Sequence, residues 1–300
     1  MSTSERVVVA APAKINFCLH AGTRRADGYH DLESLVAFAA IGDVITVARD
    51  DDISMSVEGP FAAGLTSGED NLVLRAARLT TVKAKIEQGI RICLTKNLPV
   101  ASGLGGGSAD AAAVLRALVR LWHLDLSASE LQEIAASLGA DVPVCSDSLP
   151  AWMEGKGERI TRLPALPEFR LLLVNPGVAL PTGQVFAALR DRRGLGFPYP
   201  KTGFKDVAAL LRFLQATTND LEVPARAIAP VIGDVLGEMA DMPGALFVRM
   251  SGSGATCFGI FERDYQLRKA AQLLAMRHRG WWIKETALAS ENAAMPAFIQ

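Results

Sequence analysis

The stretch Leu98-Pro-Val-Ala-Ser-Gly-Leu-Gly-Gly-Gly-Ser-Ala-Asp-Ala-Ala112 decides how this chain is interpreted. Four of its residues are glycines, and the residues that follow place apolar side chains at helical spacing. Successive backbone N–H groups in a glycine-rich turn bind anions, and a helix N-terminus adds further free donors. The stretch therefore predicts a phosphate-binding loop ahead of a helix. Ser108 is expected to cap that helix or to touch a phosphate or a metal ion.

Other nucleotide-binding loops fit this stretch less well. The chain contains no Gly-x-x-x-x-Gly-Lys-Ser/Thr sequence and none of the protein-kinase signatures. A dinucleotide-binding oxidoreductase is the sharper alternative, because Gly103 to Ser108 loosely imitates Gly-x-Gly-x-x-Gly and Asp125 follows at a suitable distance. However, the preceding strand is expected to end near Leu94, well before the glycines. Asp125 also precedes a helix start rather than ending a second strand.

The order of the predicted elements indicates the α+β class, because strands and helices mix without regular alternation. Strands are predicted at 6–11, 15–21, 43–48, 53–57, 90–94, 169–174, 245–250, 255–261 and 281–287. Helices are predicted at 71–83, from 108, from 127 to before 139, and at 183–190, 205–215, 224–240 and 264–279. The proline-containing segment 162–168 suggests a domain boundary, which divides the chain into 1–163 and 164–300. Residues 194–203 are expected to form a surface loop.

Composition narrows the classes of partner and compartment. The chain has 31 basic and 32 acidic residues among 300, whereas a nucleic-acid-binding protein usually has a basic surplus. Its four cysteines are far apart, which is typical of buried thiols in a reducing compartment. Its four histidines lack metal-ligand spacing, and no apolar run is long enough to span a membrane. A cytoplasmic protein without nucleic-acid or membrane partners is expected; the oligomeric state is left open.

Three segments in order along the chain resemble the motifs of the GHMP kinases. They are Pro12-Ala-Lys-Ile-Asn-Phe-Cys-Leu19, the glycine-rich stretch, and Met250-Ser-Gly-Ser-Gly-Ala-Thr-Cys-Phe258. The resemblance implies a two-domain fold with the active site in the cleft between the domains, and ATP as the phosphoryl donor. Two departures concern the phosphate contacts: Ala101-Ser102, where a glycine is common at the first position, and Ala109, where a second serine is common.

Further segments resemble one branch of that superfamily, which serves the non-mevalonate isoprenoid route. They are Arg25-Ala-Asp-Gly-Tyr-His30, Leu138-Gly-Ala-Asp-Val-Pro143 and Asn175-Pro-Gly-Val-Ala-Leu-Pro-Thr182. This branch implies transfer of the γ-phosphoryl of ATP to the 2-hydroxyl of a diphosphocytidyl-methylerythritol. A GHMP kinase for another small alcohol, such as homoserine or a mevalonate derivative, is the alternative. A non-catalytic ligand sensor on the same fold is a third possibility.

The resemblance also assigns roles to residues that are unremarkable by themselves. Asp141 alone would be a turn or capping aspartate, and Lys14 alone would point to solvent. By resemblance, Asp141 accepts the hydroxyl proton and Lys14 supports it electrostatically. The implied nucleotide contacts are Gly103, Leu104, Gly105, Gly106, Gly107, Ser108, Lys96 and Asn71. The implied substrate contacts are Asn16, Tyr29, His30, Thr182 and Phe186, of which Tyr29, His30 and Phe186 face the cytosine.

Two further expectations concern the surroundings of the phosphates. Gly252 and Gly254 are expected to form a second tight backbone wall near the substrate or phosphates, although a plain hairpin turn has the same pattern. Magnesium is expected with ATP, since phosphoryl transfer needs the charge of the phosphate oxygens neutralised. The sequence offers no dedicated metal cage. Ser108 is a possible ligand, and the other ligands are not predicted.

Overall fold

The chain folds into two β-sheets with helices packed against them, which confirms the α+β class. The computed structural model describes residues 5–63, 65, 68, 70–190, 194–295 and 297–299. The strands are β1 (Arg6–Asn16), β2 (His20–Arg24), β3 (His30–Asp50), β4 (Ser54–Glu58), β5 (Gly89–Thr95), β6 (Ala151–Gly155), β7 (Arg159–Arg162), β8 (Arg170–Asn175), β9 (Ala245–Met250), β10 (Cys257–Phe261), β11 (Trp282–Ala287) and β12 (Ala297–Ile299). The helices are α1 (Leu72–Ala84), α2 (Gly106–Trp122), α3 (Ala128–Leu138), α4 (Val142–Asp147), α5 (Thr182–Ala187), α6 (Val207–Ala216), α7 (Glu222–Ile228), α8 (Val231–Ala240) and α9 (Asp264–Arg277).

The first sheet is built around the long strand β3. Its path is β12-β1-β3-β5-β4, and the first half of β3 also pairs with β2 and β6, while β7 extends β6. The register between β1 and β3 shifts between Pro12 and Lys14. Such irregularities bend a strand and redirect its side chains. Helices α1 to α4 cover one face of this sheet, and a core of aliphatic side chains fills the space between them.

The second sheet is antiparallel, in the order β11-β8-β10-β9. Its helix-covered face contributes to a second core with α5, α7, α8 and α9. A third core joins the two sheets, because Ile15 of β1 and Phe17, which follows β1, share it with Leu173 of β8 and Phe258 of β10. Burial of apolar area gains about 25 cal/mol per Å², so this shared core fastens the two sheets to each other.

Several element boundaries differ from the sequence-based expectation. The strand predicted at 43–48 is the end of the 21-residue strand β3, and the predicted strands 6–11 and 15–21 are replaced by β1 and the separate β2. The helix predicted at 224–240 is two helices, which break before Pro230 because proline lacks the N–H needed inside a helix. Strands β6, β7 and β12 and the short helix α4 were not predicted. The capping box at Ser127 and Glu130 is confirmed.

Three further features concern the length of the apolar helices, the cysteines and the end of the chain. Within the residues described here, no helix is both long and apolar enough to cross a membrane. The four cysteines are free thiols, and Cys18, Cys145 and Cys257 are buried. Strand β12 returns from the end of the chain to pair with β1 in the first sheet. The division at 163/164 stays a prediction.

Candidate active site

A cleft of about 550 Å³ lies where β1, the loop ahead of α2, the residues ahead of α4 and the 251–254 turn meet. It is lined by most of the residues singled out in the sequence: Lys14, Asn16, Asn71, Lys96, Gly103, Gly105, Gly106, Gly107, Ser108, Asp141, Thr182 and Phe186. Leu104 is fully buried under the loop, and its carbonyl accepts the Lys14 N–H at 2.9 Å. We call Lys14, Gly103–Ser108 and Asp141 the phosphate end of the cleft, and Tyr29, His30 and Phe186 its aromatic end.

Lys14 and Asp141 form an ion pair at the phosphate end. Lys14 Nζ lies 2.8 Å from Asp141 Oδ1. The lysine side chain is almost fully buried, whereas the aspartate side chain is 41% exposed and can meet a ligand. Lys14 follows the register shift in β1, so its side chain leaves the regular alternation of the strand. The pair thus places a carboxylate that is accessible from the cleft beside a buried cation.

A partly buried arginine fixes the segment that carries Asp141. Arg116 of α2 donates from Nη1 to the Cys145 and Ser146 carbonyls, at 2.8 and 3.0 Å, and from Nη2 to the Ala10 carbonyl at 2.9 Å. It therefore ties the end of α4 to β1, the strand that carries Lys14. Burial lowers the pKa of Arg116 to about 10, which still leaves the guanidinium charged at neutral pH. No local pattern predicts this role, because an arginine within an amphipathic helix is usually solvent-facing.

The phosphate loop needs glycine at two positions for different reasons. At Gly103 (φ +78°) an added Cβ would lie 2.3 Å from the Ser251 carbonyl oxygen, so the backbone of another loop occupies the space. Gly105 is the N-cap of α2, and its left-handed backbone (φ +62°) favours glycine, so no side chain caps this helix. The expectation that Ser108 caps this helix is wrong, because α2 begins at Gly106 and Ser108 lies within its first turn. The first-turn N–H groups border the cleft and can donate hydrogen bonds to an anionic ligand.

The 251–254 turn closes the phosphate loop from the second sheet. Ser251 Oγ accepts the Asn16 N–H at 3.1 Å and donates to the Gly103 carbonyl at 2.9 Å. Gly252 (φ +55°) packs so tightly on the same carbonyl that an added Cβ would lie 2.9 Å from it. These contacts agree with the expected backbone wall. The 251–254 turn packs against the phosphate loop, so it does more than reverse the chain.

Lys96 lies in a buried cluster of charges beneath the phosphate loop. Its Nζ lies 2.5 Å from Asp43 Oδ2 and 2.8 Å from Asp110 Oδ2. Burial alone would lower the pKa of Lys96, but Asp110 and Asp43 raise it above its ordinary value. Burial raises the pKa of Asp110 to about 8, although Lys96 acts in the opposite direction. Both aspartates were missed in the sequence, where only their position within apolar stretches marked them as unusual.

Asn71 has a structural role in addition to its place in the cleft. Its side chain accepts the Val73 N–H at 2.9 Å and caps α1, as a helix-capping asparagine would. Asn71 and Lys96 both line the cleft. Their contact with a nucleotide stays a prediction.

Polar side chains lie between the phosphate end and the aromatic end. Asn16 Nδ2 donates to Ser34 Oγ at 2.8 Å, and Ser34 Oγ donates to the Cys18 carbonyl at 2.6 Å. Thr182 Oγ1 lies 2.9 Å from Ser253 Oγ. All of these polar groups except the Cys18 carbonyl belong to residues that line the cleft. Hydrogen bonds to neighbours fix their orientation before a ligand arrives.

The aromatic end is less enclosed. The rings of His30 and Phe186 stack with centroids 5.4 Å apart, and His30 Nδ1 lies 3.2 Å from the Gly22 carbonyl oxygen. Tyr29 is 57% exposed, and Lys156 Nζ lies 5.1 Å from its ring centroid. Among the described residues, Tyr29 and His30 fall outside the set that lines the cleft. The structure thus brings Phe186 into the cleft, His30 against Phe186, and leaves Tyr29 at the surface.

The fold and this site define a class. The family model of the GHMP kinases N terminal domain matches residues 71–148, and that of the GHMP kinases C terminal matches residues 200–275. Together these matches cover more than half of the chain. A homoserine kinase from Cytophaga hutchinsonii superposes with a TM-score of 0.75 over 100% of this chain and 98% of its own, at 19% identity, which concerns the fold alone. The class is therefore that of the two-domain GHMP kinases.

Closer relatives identify the branch of that class. The 4-diphosphocytidyl-2-C-methyl-D-erythritol kinase of Parvibaculum lavamentivorans is 49% identical, over 94% of this chain and 98% of the relative. The enzyme of the same name from Paracoccus denitrificans is 50% identical, over 93% of this chain and 96% of the relative. A crystal structure of 4-(cytidine 5'-diphospho)-2C-methyl-D-erythritol kinase superposes with a TM-score of 0.74 at 35% identity, over 94% of this chain and 100% of its own. The chain belongs to the 4-diphosphocytidyl-2-C-methyl-D-erythritol kinase family.

Proposed function

We propose that this enzyme transfers the γ-phosphoryl group of ATP to the 2-hydroxyl of 4-diphosphocytidyl-2-C-methyl-D-erythritol, in the non-mevalonate route to isoprenoid precursors. The observation that carries the proposal is the Lys14–Asp141 pair, held at 2.8 Å beside a glycine-rich loop in one cleft. The full-length identity of about half with relatives of that name supports the choice of substrate. The free cysteines are consistent with action in the cytoplasm.

Asp141 takes the hydroxyl proton as the substrate oxygen bonds to the γ-phosphorus and the bond to the ADP oxygen breaks. Lys14 balances the negative charge that develops during this step. The N–H groups of the Gly105–Ser108 turn bind the phosphates. Asn16 and Thr182 orient the substrate, because both already have a hydrogen-bonded neighbour that fixes their position.

The aromatic end binds the cytosine in this proposal. Phe186 supplies a ring face, which His30 backs by stacking against it. A base stacked on an aromatic ring contributes about 1–3 kcal/mol. Tyr29 covers the base from the surface loop and contributes less, because its ring is more than half exposed.

A magnesium ion accompanies ATP in this proposal, and the donors of the cleft fit it. Among the described residues, no cluster of three or more His, Cys, Asp or Glu side chains can hold a metal ion. Magnesium suits such a site, because it is usually held through phosphate oxygens, waters and one or two side chains. Ser108 borders the cleft and supplies one hydroxyl ligand. The bound ion would neutralise phosphate charge during transfer.

The substrate assignment is tested by measuring ADP release with ATP and three alcohols in turn. The alcohols are the diphosphocytidyl-methylerythritol, homoserine and mevalonate. A site that hydrogen-bonds one substrate rejects analogues that leave its polar groups unpaired by a factor on the order of 10⁴. We expect turnover with the first alcohol only. Faster turnover with homoserine or mevalonate would assign the enzyme to another branch of the GHMP kinases.

A further inference from the structure

The buried polar groups beneath the phosphate loop are not all paired. Asp43 is fully satisfied, since its Oδ1 accepts the Asn97 and Leu98 N–H groups and its Oδ2 contacts Lys96. Asp110 contacts the same Lys96 through Oδ2, at 2.8 Å. Within the part of the chain that the structure describes, Asp110 Oδ1 is buried and has no hydrogen-bond partner. Two carboxylates therefore share one ammonium group.

The unpaired oxygen belongs to a residue next to the expected phosphates. Asp110 is 2% exposed, yet it borders the cleft with Gly106 and Ser108. Residues 106 and 110 are one helical turn apart, and side chains on a helix lean toward its N-terminus. Lys96 Nζ, which contacts Asp110, would lie 3.0 Å from a Cβ placed on Gly106. The carboxylate thus lies below the first turn of α2, the part of the cleft assigned to the phosphates.

An unpaired carboxyl oxygen at this place does not suit a polyphosphate, because two sets of acceptors meet there without a donor between them. Burial of a carboxylate without a partner is costly as well. A divalent cation removes both penalties, because it binds the unpaired oxygen and the phosphate oxygens together. The geometry favours this over a purely structural role for Asp110, which would need only the contact with Lys96.

We propose that Asp110 is the protein carboxylate that binds the divalent cation of the metal–ATP complex, with Ser108 as its neighbouring ligand. The inference rests on the proposed kinase function and adds a residue to it. Phosphate oxygens and waters complete the coordination, as magnesium requires. Lys96 holds the other oxygen of Asp110 and so fixes the direction of the free one.

The test measures Mn²⁺ binding to the enzyme–ATP complex by electron paramagnetic resonance, in the wild type and in Asp110→Asn. Asparagine keeps an acceptor for Lys96 but removes the negative charge. We expect at least a tenfold weaker Mn²⁺ affinity in the variant, since even supporting groups of metal sites cost about 10–100-fold. Without metal, the variant should bind ATP no more weakly than the wild type, because Asp110→Asn removes no hydrogen-bond donor to the phosphates. Unchanged Mn²⁺ affinity would overturn the inference.

Asp147→Asn is the matched control, because it removes a carboxylate of the same domain that pairs with Arg162 at the surface. It should leave Mn²⁺ affinity unchanged. A second measurement uses the unaltered protein: Fe²⁺ with ascorbate and ATP should cleave the backbone near residues 108–110. Cleavage elsewhere would contradict the inference even if Asp110→Asn fails to fold. Failure of the wild type to phosphorylate the diphosphocytidyl alcohol would instead contradict the proposed function.

Discussion

The two ends of the cleft are built differently. The phosphate end is charged, and it is fastened to both sheets by hydrogen bonds that Ser251 Oγ, the Lys14 N–H and Arg116 donate to backbone carbonyls. The aromatic end depends on one stacked pair and on an exposed tyrosine. A preorganised charged site acts mainly on the transition state, whereas stacking contributes to binding of the ground state as well. Changes at the phosphate end should therefore lower turnover, and changes at the aromatic end should raise the Michaelis constant.

The largest effect is expected from Asp141→Asn. The variant keeps the shape of the side chain but removes the base, and loss of a general base typically costs ~10²–10⁴-fold in rate. Single-turnover phosphoryl transfer should fall by that factor while ATP affinity stays nearly unchanged. The surface variant Asp147→Asn should transfer at the wild-type rate. Near-normal transfer by Asp141→Asn would leave Asp141 without an essential role.

Lys14→Ala tests whether the ion pair acts as a unit. Lys14 contacts Asp141 directly, so both variants disturb the same step. Residues that act together show non-additive losses. The double variant should therefore lose less activity in single-turnover transfer than the product of the two separate factors. Fully multiplicative losses would mean that the two residues act independently.

Gly106→Val should weaken nucleotide binding by an intermediate amount. Gly106 has no positive φ, so valine fits its backbone, but the new side chain approaches Lys96 Nζ and covers first-turn donors. Hydrogen bonds to charged groups contribute about 1.5–3 kcal/mol each. Loss of one such bond predicts roughly 10–100-fold weaker ATP binding by calorimetry. Gly237→Val is the control, because Gly237 is an exposed position of α8 with no atom within 4 Å of an added Cβ. Equal ATP affinity in the two variants would mean that the loop does not bind the phosphates of ATP.

Most residues of the phosphate end could be predicted from the sequence, but fewer of the residues that support them. Its glycines and Asp141 lie in contiguous motifs, so their neighbourhood along the chain is also their neighbourhood in space. Asp43 and Asp110 are 67 residues apart and meet only because β3 and α2 pack together. Arg116 likewise bonds to β1 across 106 residues. Local patterns do not report such long-range contacts, and the resemblance did not assign roles to these three residues.

A smaller effect is expected at the aromatic end. His30→Ala removes the ring that stacks on Phe186. It should raise the Michaelis constant for the cytidine substrate by up to about tenfold, in line with the ~0.5–1.5 kcal/mol of one aromatic pair. Turnover should change little. Tyr29→Ala should raise the constant less, because Tyr29 is exposed. His278→Ala, which removes a ring stacked on Trp281 elsewhere, serves as the control in steady-state assays. A larger effect of Tyr29→Ala than of His30→Ala would reverse the order proposed here.

The most direct test of the account follows phosphoryl transfer by ³¹P nuclear magnetic resonance in a mixture of ATP, magnesium, the diphosphocytidyl-methylerythritol and methylerythritol phosphate without cytidine. The phosphate end alone would serve either alcohol, whereas the aromatic end admits only the one with a base. We predict one new phosphomonoester signal, on the 2-hydroxyl of the cytidine compound. A phosphorylated product from the compound without cytidine, at a comparable rate, would contradict the central claim that the two ends of the cleft act together.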